Sequence, residues 1–502
     1  MNLKALFIAT AFLSVSNSSF AGPLNVECLL RGSCINTQDV LNHLKELQVI
    51  AEANNGNRAA GTRGHEFSGN YVAQKLLAAG YKVELQPFTF MKFEKHSAKL
   101  QAGETHYQDS KDFNVMSYSG NGSISAALTA IDVSLGEGNT STSGCEAEDF
   151  AQHPKGNIAL IQRGTCNFAQ KILNAEAAGA SGVILFNQGN TPDRVELFQG
   201  TISESEKIGI PVMAISYPLA LELLKPEVTS LSMDVDAEVQ KRASFNVIAE
   251  TRTGNDANVV MLGAHLDSVT EGPGINDNAS GSAALLEIAL QLKDAQLNNK
   301  VRFGWFSAEE LGLIGSTKYV EALTPSEKAR ISLYVNADMV ASPNYMLGVY
   351  DGDGSKFGQK GPEGSALLES MLHGFFAGQG LKSVETELSG RSDYAAFSAA
   401  GVAVGGVFTG AEGKKTEEEA VLFGGKAGEA YDSCYHQACD NISNLSLDAL
   451  DFNTHALAYM AVGLGQSTKG IRDNDKVRSL NLARKGVVFP KHYDCHGDVH
   501  AE

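Results

Sequence analysis

Past its first segment, the 502-residue chain has no unbroken apolar run long enough to cross a bilayer, which excludes a spanning helix there. It is also short of positive charge. Forty Lys and Arg stand against 58 Asp and Glu, a formal net charge of −18. A nucleic-acid partner wants Lys and Arg to meet its phosphates, so that class is set aside. Net charge speaks to solubility and long-range field rather than to fold. What is plentiful is glycine, with 51 residues, which suits an α/β protein with many tight turns. Hydrophobic content of 43% and charged content of 20% belong to a soluble globular protein. A chain of 502 residues exceeds one ordinary core, so two or more domains are expected.

The chain opens MNLKALFIATAFLSVSNSSFAG: one lysine, an apolar run, then Ser19-Phe20-Ala21. That is the pattern of a secretory signal peptide over residues 1–21, with cleavage after Ala21. The run is too short and interrupted for a membrane span. An exported protein is expected, secreted or periplasmic. The seven cysteines agree with an oxidising compartment. They fall as Cys28/Cys34, Cys145/Cys166 and Cys434/Cys439, with Cys495 left over. Proximity favours these pairings and does not by itself establish connectivity.

After the leader, NTQDVLNHLKELQVIAEA carries Val40, Leu44, Leu47 and Ala51 at helical spacing, with Asn36 or Thr37 as cap. GHEFSGNYVAQKLLAAGYKVELQPF reads as helix, Gly80 stop, and strand. From about residue 116 the texture changes to short strand-like runs, NIALIQRG, SGVILFN and IPVMAIS, around one helix, NFAQKILNAEAAGA. Strand and helix then alternate from residue 241 to about 468. The simplest division is an α/β domain of 35–115 and 241–468, interrupted by a β-rich domain of 116–240. Residues 469–502 read as a frayed or removable tail. Its His492, Cys495, His496 and His500 could bind metal, a weaker reading.

Four strand-like segments end on metal-ligand residue types. NVVMLGAHLD brings His265 and Asp267, VRFGWFSAEE brings Glu309 and Glu310, SLYVNADMV brings Asp338, and AYDSCYHQACD presents His436. A lone Asp or His at a strand end is more often a cap or a satisfied polar group. In open α/β sheets, however, ligands bind beyond the carboxyl ends of the strands, so four such ends converge on one crevice. Imidazoles and carboxylates without thiolates suit catalytic zinc, whereas structural zinc favours cysteine. The cysteines flanking His436 read better as a disulfide that fixes its loop. The Glu309-Glu310 pair needs a division of labour. On an extended strand end the two would point apart, one to ligate and one to face substrate as a general base.

GAHLDSV…GINDNASG, FSAEELGLIGS, NADMV, GRSDYAAF and CYHQACD, in that order, resemble the bacterial leucine aminopeptidase and aminopeptidase Y family of dinuclear zinc exopeptidases. The match covers nearly all of residues 245–450. GCEAEDF…GNIALIQRGTCNFAQKILNAEAAGASGVILFNQ resembles the protease-associated domain inserted in such enzymes, whose usual disulfide matches Cys145 and Cys166. The resemblance implies a zinc exopeptidase fold: a mixed central sheet flanked by helices. It implies two zinc ions per chain, one held by His265 and Asp338 and the other by Glu310 and His436, with Asp277 bridging. Glu309 would be the general base. Asp267 would orient His265 through its other ring nitrogen, Tyr435 would donate to the developing oxyanion, and the segment around Arg391 would line the pocket for the substrate's amino end. It further suggests a strained, cis peptide after Asp277. The implied activity is release of N-terminal residues from peptides by metal-activated hydroxide. The runner-up is a glutamate-type carboxypeptidase on the same fold, for which Arg391 is the one obvious basic candidate near a motif. A glutaminyl cyclase is disfavoured because cyclases of this type use one zinc and all five ligands for two are present.

Overall fold

The computed structural model describes residues 35–202 and 207–471. The expected signal peptide, Cys28, Cys34, Cys495 and the histidines of the tail lie outside the described residues. The described chain divides into two compact units, one of 35–86, 246–307 and 316–471, the other of 87–245 with 308–315.

Two helices open the first unit. Helix α1 (Thr37–Glu52) starts at Asn36, whose side chain accepts from the Gln38 amide, and it buries Val40, Leu44, Leu47 and Ala51. That is the stripe the spacing predicts. Helix α2 (Arg63–Ala78) is capped by Thr62, whose side chain accepts from the His65 amide.

The second unit carries the insert. Strand β1 (Lys82–Ala102) turns back onto β2 (Thr105–Tyr107), with Leu100 opposite Tyr107. Strand β4 (Gly122–Ala126), which follows β3 (Phe113–Val115), runs antiparallel to β9 (Leu231–Glu250), with Gly122 opposite Val235. Strands β5 (Leu128–Ile131), β6 (Ile158–Gln162), β7 (Gly182–Phe186) and β8 (Val212–Ile215) join β3 in a sheet of order β3-β8-β7-β6-β5. All its pairings are parallel except β3 with β8. Strands β6, β7 and β8 are buried at every position. Their unbroken apolar runs follow, because a parallel strand covered on both faces has no polar side. Alternate residues feed two cores: Leu160, Ile184 and Met213 enter one, Ile161, Val183 and Ala214 the other. Helix α3 (Phe168–Ala177), capped by the Asn167 side chain, connects β6 to β7, and α4 (Tyr217–Leu223) follows β8. The Cys145–Cys166 disulfide is formed.

Back in the first unit, the chain lays down β10 (Asn255–His265), β11 (Asn299–Phe306), β12 (Ile331–Ala337), β13 (Gly348–Tyr350), β14 (Val384–Thr386) and β15 (Ala403–Phe408). Their order is β14-β13-β15-β12-β10-β11, with the end of β9 antiparallel beside β11. The central pairs β11–β10, β10–β12 and β12–β15 are parallel, and β13 runs antiparallel to β15. Helix α5 (Gly281–Leu292) packs on β10 and against α1 and α2, and α11 (Leu447–Gln466) packs against α5 and β11. Between them come α6 (Ile314–Ala322), α7 (Pro325–Arg330), α8 (Ser365–Gly378), α9 (Tyr394–Ala399) and α10 (Glu417–Phe423). One face of the sheet buries Met261, Phe306, Tyr334 and Val404 against Tyr319 and Val320 of α6 and Tyr394 and Phe397 of α9. Tyr334 and Phe397 stack at 4.0 Å between ring centroids. This is the mixed sheet flanked by helices that the sequence leads one to expect. Among the described residues, no helix is long and apolar enough to cross a membrane.

Candidate metal centre

Register sets the site. In the β10–β12 pair, Gly263 lies opposite Asn336, so two residues further on His265 and Asp338 reach the carboxyl edge of the sheet at one level. His265 is the last residue of β10, and Asp338 follows β12 directly.

Asp277 has to be brought back to that edge from twelve positions away. The loop enters a short helical turn, Ile275–Ser280, through Gly274, whose φ of 61° favours a residue without Cβ. It leaves through Gly281, where a Cβ would stand 2.1 Å from the Ala337 carbonyl oxygen. The Asp277–Asn278 peptide is cis, as the resemblance implies. Asn278 ties the turn to the sheet: its Nδ2 donates to the Ala337 carbonyl at 2.8 Å and its Oδ1 accepts from the Gly281 amide at 2.9 Å. Beneath the loop sits Arg58, fully buried. Its Nε donates to the Pro273 carbonyl at 2.9 Å, its Nη2 to Gly274 at 2.6 Å, and its Nη1 to Leu266.

The four side chains meet. His265 Nε2 lies 3.2 Å from Asp277 Oδ1 and 3.3 Å from Asp338 Oδ1. The other oxygen, Asp277 Oδ2, lies 3.1 Å from His436 Nε2. His265, Asp277 and Asp338 are buried, and their ligand atoms all fall within 4.8 Å of one another. His436 sits in an irregular loop with φ of 56°, closed by the Cys434–Cys439 disulfide. The ring of Tyr435 stacks on it at 3.8 Å between centroids.

Hydrogen bonds behind these atoms were not legible in the sequence. Ser392 Oγ donates to Asp338 Oδ2 at 2.6 Å and accepts from Asn336 Nδ2 at 2.8 Å. Asp440 takes the Asn276 amide on Oδ1 at 2.8 Å and the Asp277 amide on Oδ2 at 3.0 Å, which holds the main chain of the bridge position. Asn276 Nδ2 in turn donates to Asp432 Oδ2 at 2.7 Å. Ser392 and Asp440 stand inside motifs the sequence already singled out, so a signal existed for them. For Arg58 there was none.

Burial would raise the Asp277 carboxyl, but the imidazoles of His265 and His436 hold it well below the usual carboxylate range. Asp440 is pushed up to about 7, chiefly by burial, with the charges of Asp277 and Asp432 adding to it against its two amide donors. Asp393 also rises to about 7, again chiefly by burial, with Asp338 and Asp267 adding and His265 opposing. Buried carboxylates thus crowd one sheet edge and face imidazoles rather than lysine or arginine. Two imidazoles and two carboxylates, without thiolate, form a donor set that fits divalent zinc.

Three expectations change in detail. The Glu309-Glu310 pair does not lie on an extended strand end. Strand β11 stops at Phe306, and the pair opens a tight turn in which the Gly312 and Leu313 amides both donate to the Glu309 carbonyl. Alternation along a strand therefore cannot divide their roles. His265 Nδ1 is oriented by the main-chain oxygen of Asp267, at 3.1 Å, while the Asp267 carboxylate stands off at 3.8 Å. Arg391 pairs through Nη1 with Glu412 Oε1 at 2.8 Å, and its Nη2 donates to the Tyr435 hydroxyl at 3.4 Å.

Comparison with known proteins agrees with this geometry. Residues 246–461 match the model of peptidase family M28, and residues 126–223 match the PA domain. An aminopeptidase of Pseudomonas aeruginosa is 52% identical over 444 residues, 88% of this chain and 83% of that one. Among solved structures, the aminopeptidase from Aneurinibacillus sp. strain AM-1 superposes with a TM-score of 0.67 at 27% identity, over 87% of this chain and 95% of that one. A zinc aminopeptidase from Bacillus subtilis gives a TM-score of 0.60 at 26% identity, over 86% and 96%.

Proposed function

Because the chain belongs to peptidase family M28, we propose that it is a zinc aminopeptidase that binds two ions and releases N-terminal residues from peptides. In this reading His265 and Asp338 would hold one ion and Glu310 and His436 the other, with Asp277 shared between the two groups. The observation that carries it is the carboxylate of Asp277, whose two oxygens face two different imidazoles at 3.2 and 3.1 Å.

Bound zinc supplies Lewis acidity, lowering the pKa of a water towards ~7 and polarising the scissile carbonyl. The chain's own groups do the rest. Glu309 takes the proton from the attacking water and returns it to the leaving amine. The Tyr435 hydroxyl, fixed by stacking on His436 and by Arg391, donates to the oxygen of the tetrahedral intermediate. Carboxylates around the centre, Glu309 among them, attract the free α-ammonium of a peptide, which selects chain ends over internal bonds. The 52% identical relative called an aminopeptidase favours this reading over a glutamate-type carboxypeptidase. Residues 1–21 direct export and are removed.

The test uses purified protein on leucine-, lysine- and proline-amide chromogens and on peptides ending in glutamate. N-terminal release that a chelator abolishes and zinc restores is expected. Absence of such release, or release of C-terminal glutamate instead, overturns the proposal. Metal analysis should return two zinc ions per chain, and the exported protein should begin at Gly22.

A further inference from the structure

Four strands away from His265, at the β14 edge of the same sheet, a second set of ligand atoms converges. Glu369 and His373 stand one turn apart on one face of α8, and Glu385 is the middle residue of β14. One ligand atom from each lies within 4.8 Å of the others. At ordinary interstrand spacing the set is roughly 19 Å from the metal centre across the sheet.

The histidine is arranged as a ligand. Its Nδ1 lies 2.7 Å from Ser383 Oγ, which fixes the ring. Its Nε2 is shut off from solvent and has no hydrogen-bond partner. Glu369 Oε1 is 3.9 Å away, beyond hydrogen-bond length. The Glu369 side chain is only 7% exposed. Its Oε2 accepts from the Gly352 and Asp353 amides at 2.9 and 3.0 Å, which locks the carboxylate. Burial pushes the Glu369 carboxyl up and the His373 imidazole down, so neither is settled as an ion pair with the other.

The neighbouring acids make a useful contrast. Asp351 accepts from the amides of Ser355, Lys356 and Phe357, and Asp353 from that of Ser355. Those oxygens are spent on shaping the loop, and no ion is needed to explain them. In the cluster of Glu369, His373 and Glu385, the buried Nε2 of His373 has no such account.

We propose that Glu369, His373 and Glu385 form a further divalent-cation site, for zinc or a similar first-row ion, that fastens β14 to α8. One imidazole and two carboxylates suit such an ion and leave positions for water. Ser383 on the far ring nitrogen is the kind of partner that sets a metal-binding histidine's tautomer and direction. The ion has a structural task, because β14 is three residues long and among the described residues pairs only with β13, itself three residues long.

The full-length protein, stripped by chelator, is titrated with zinc by calorimetry beside His373→Gln and Glu385→Gln. The wild type is expected to take one more equivalent than either variant, and that equivalent should raise the unfolding temperature of the wild type alone. N-terminal amide turnover should be the same in all three. Equal stoichiometry in the three proteins overturns the site. The outcome is a difference between chains that share one catalytic centre, so it stands or falls separately from the aminopeptidase reading. A variant with less helical circular dichroism than the wild type is replaced by Ser383→Ala, which leaves the ligands in place and is expected to weaken the extra equivalent without removing it. Unchanged affinity there counts against the site.

Discussion

The two units bury polar groups in opposite ways. In the insert, Gln162, Lys171 and Ser143 close on main-chain partners. Gln162, fully buried at the end of β6, donates to the Ser134 and Gln188 carbonyls and accepts from the Ser134 amide. The Lys171 ammonium donates to the Ser143 carbonyl, and the Ser143 hydroxyl to that of Ile131. At the carboxyl edge of the peptidase sheet, by contrast, Asp277, Asp338, Asp393 and Asp440 are gathered within one buried region. Two of them are pushed towards neutrality at about 7. The first arrangement meets its polar groups with main-chain partners. The second balances only with added positive charge, since burying like charges together is costly unless a cation or proton compensates. A framework can be electrostatically closed, whereas a metal centre has to be left open.

That contrast can be broken by experiment. The largest effect is expected from Glu309→Ala, which should lower kcat by roughly 10²–10⁴-fold while zinc content stays the same. Zinc loss measured by metal analysis would mean that Glu309 ligates instead. In the insert, Leu160→Ala removes a fully buried side chain and should cost about 2–5 kcal/mol in urea unfolding. Amide turnover of the folded fraction should not change if the sheet of β3 and β5 to β8 takes no part in the chemistry. Asp440→Asn keeps the shape but replaces one acceptor of the Asn276 and Asp277 amides with a donor. A drop of about 10–100-fold in zinc affinity is expected, read by competition with a chromophoric chelator.

The smallest effect concerns Lys171, which burial pushes down to about 8. Between pH 8 and its unfolded value the folded lysine sheds its proton while the unfolded one keeps it, so stability should rise with pH across that window. Below pH 8 both forms are charged and no slope is expected. The difference in urea midpoint between wild type and Lys171→Met, measured at pH 8 and pH 10, isolates the term. A flat difference would remove Lys171 from the closed network.

Much of this was readable in one dimension. The α1 stripe, the apolar runs of β6 to β8 and the strand ends at His265 and Asp338 all announce themselves through periodicity and its interruption. Residue type at those ends then limits the chemistry to hard cations and zinc. Less readable was anything carried by main-chain hydrogen bonds. Arg58 acts on the carbonyls of residues 266, 273 and 274, more than 200 positions away, and no spacing connects them. The turn that carries Glu309 and Glu310 could not be told from a continuing strand, because Ala308 and Glu309 carry no break signal.

By itself, then, the sequence determined the class of fold and the inventory of donors, since burial on two faces and ligand chemistry are properties of residue types in order. Tertiary structure alone decided how the donors meet: the register that levels His265 with Asp338, the close pass of Gly281 beside Ala337, the grip of Asp440 on two amides. The physical reason is range. Patterns of hydrophobicity are local and survive in one dimension, whereas placing a carboxylate between two imidazoles takes ångström-scale contacts among segments that only folding brings together.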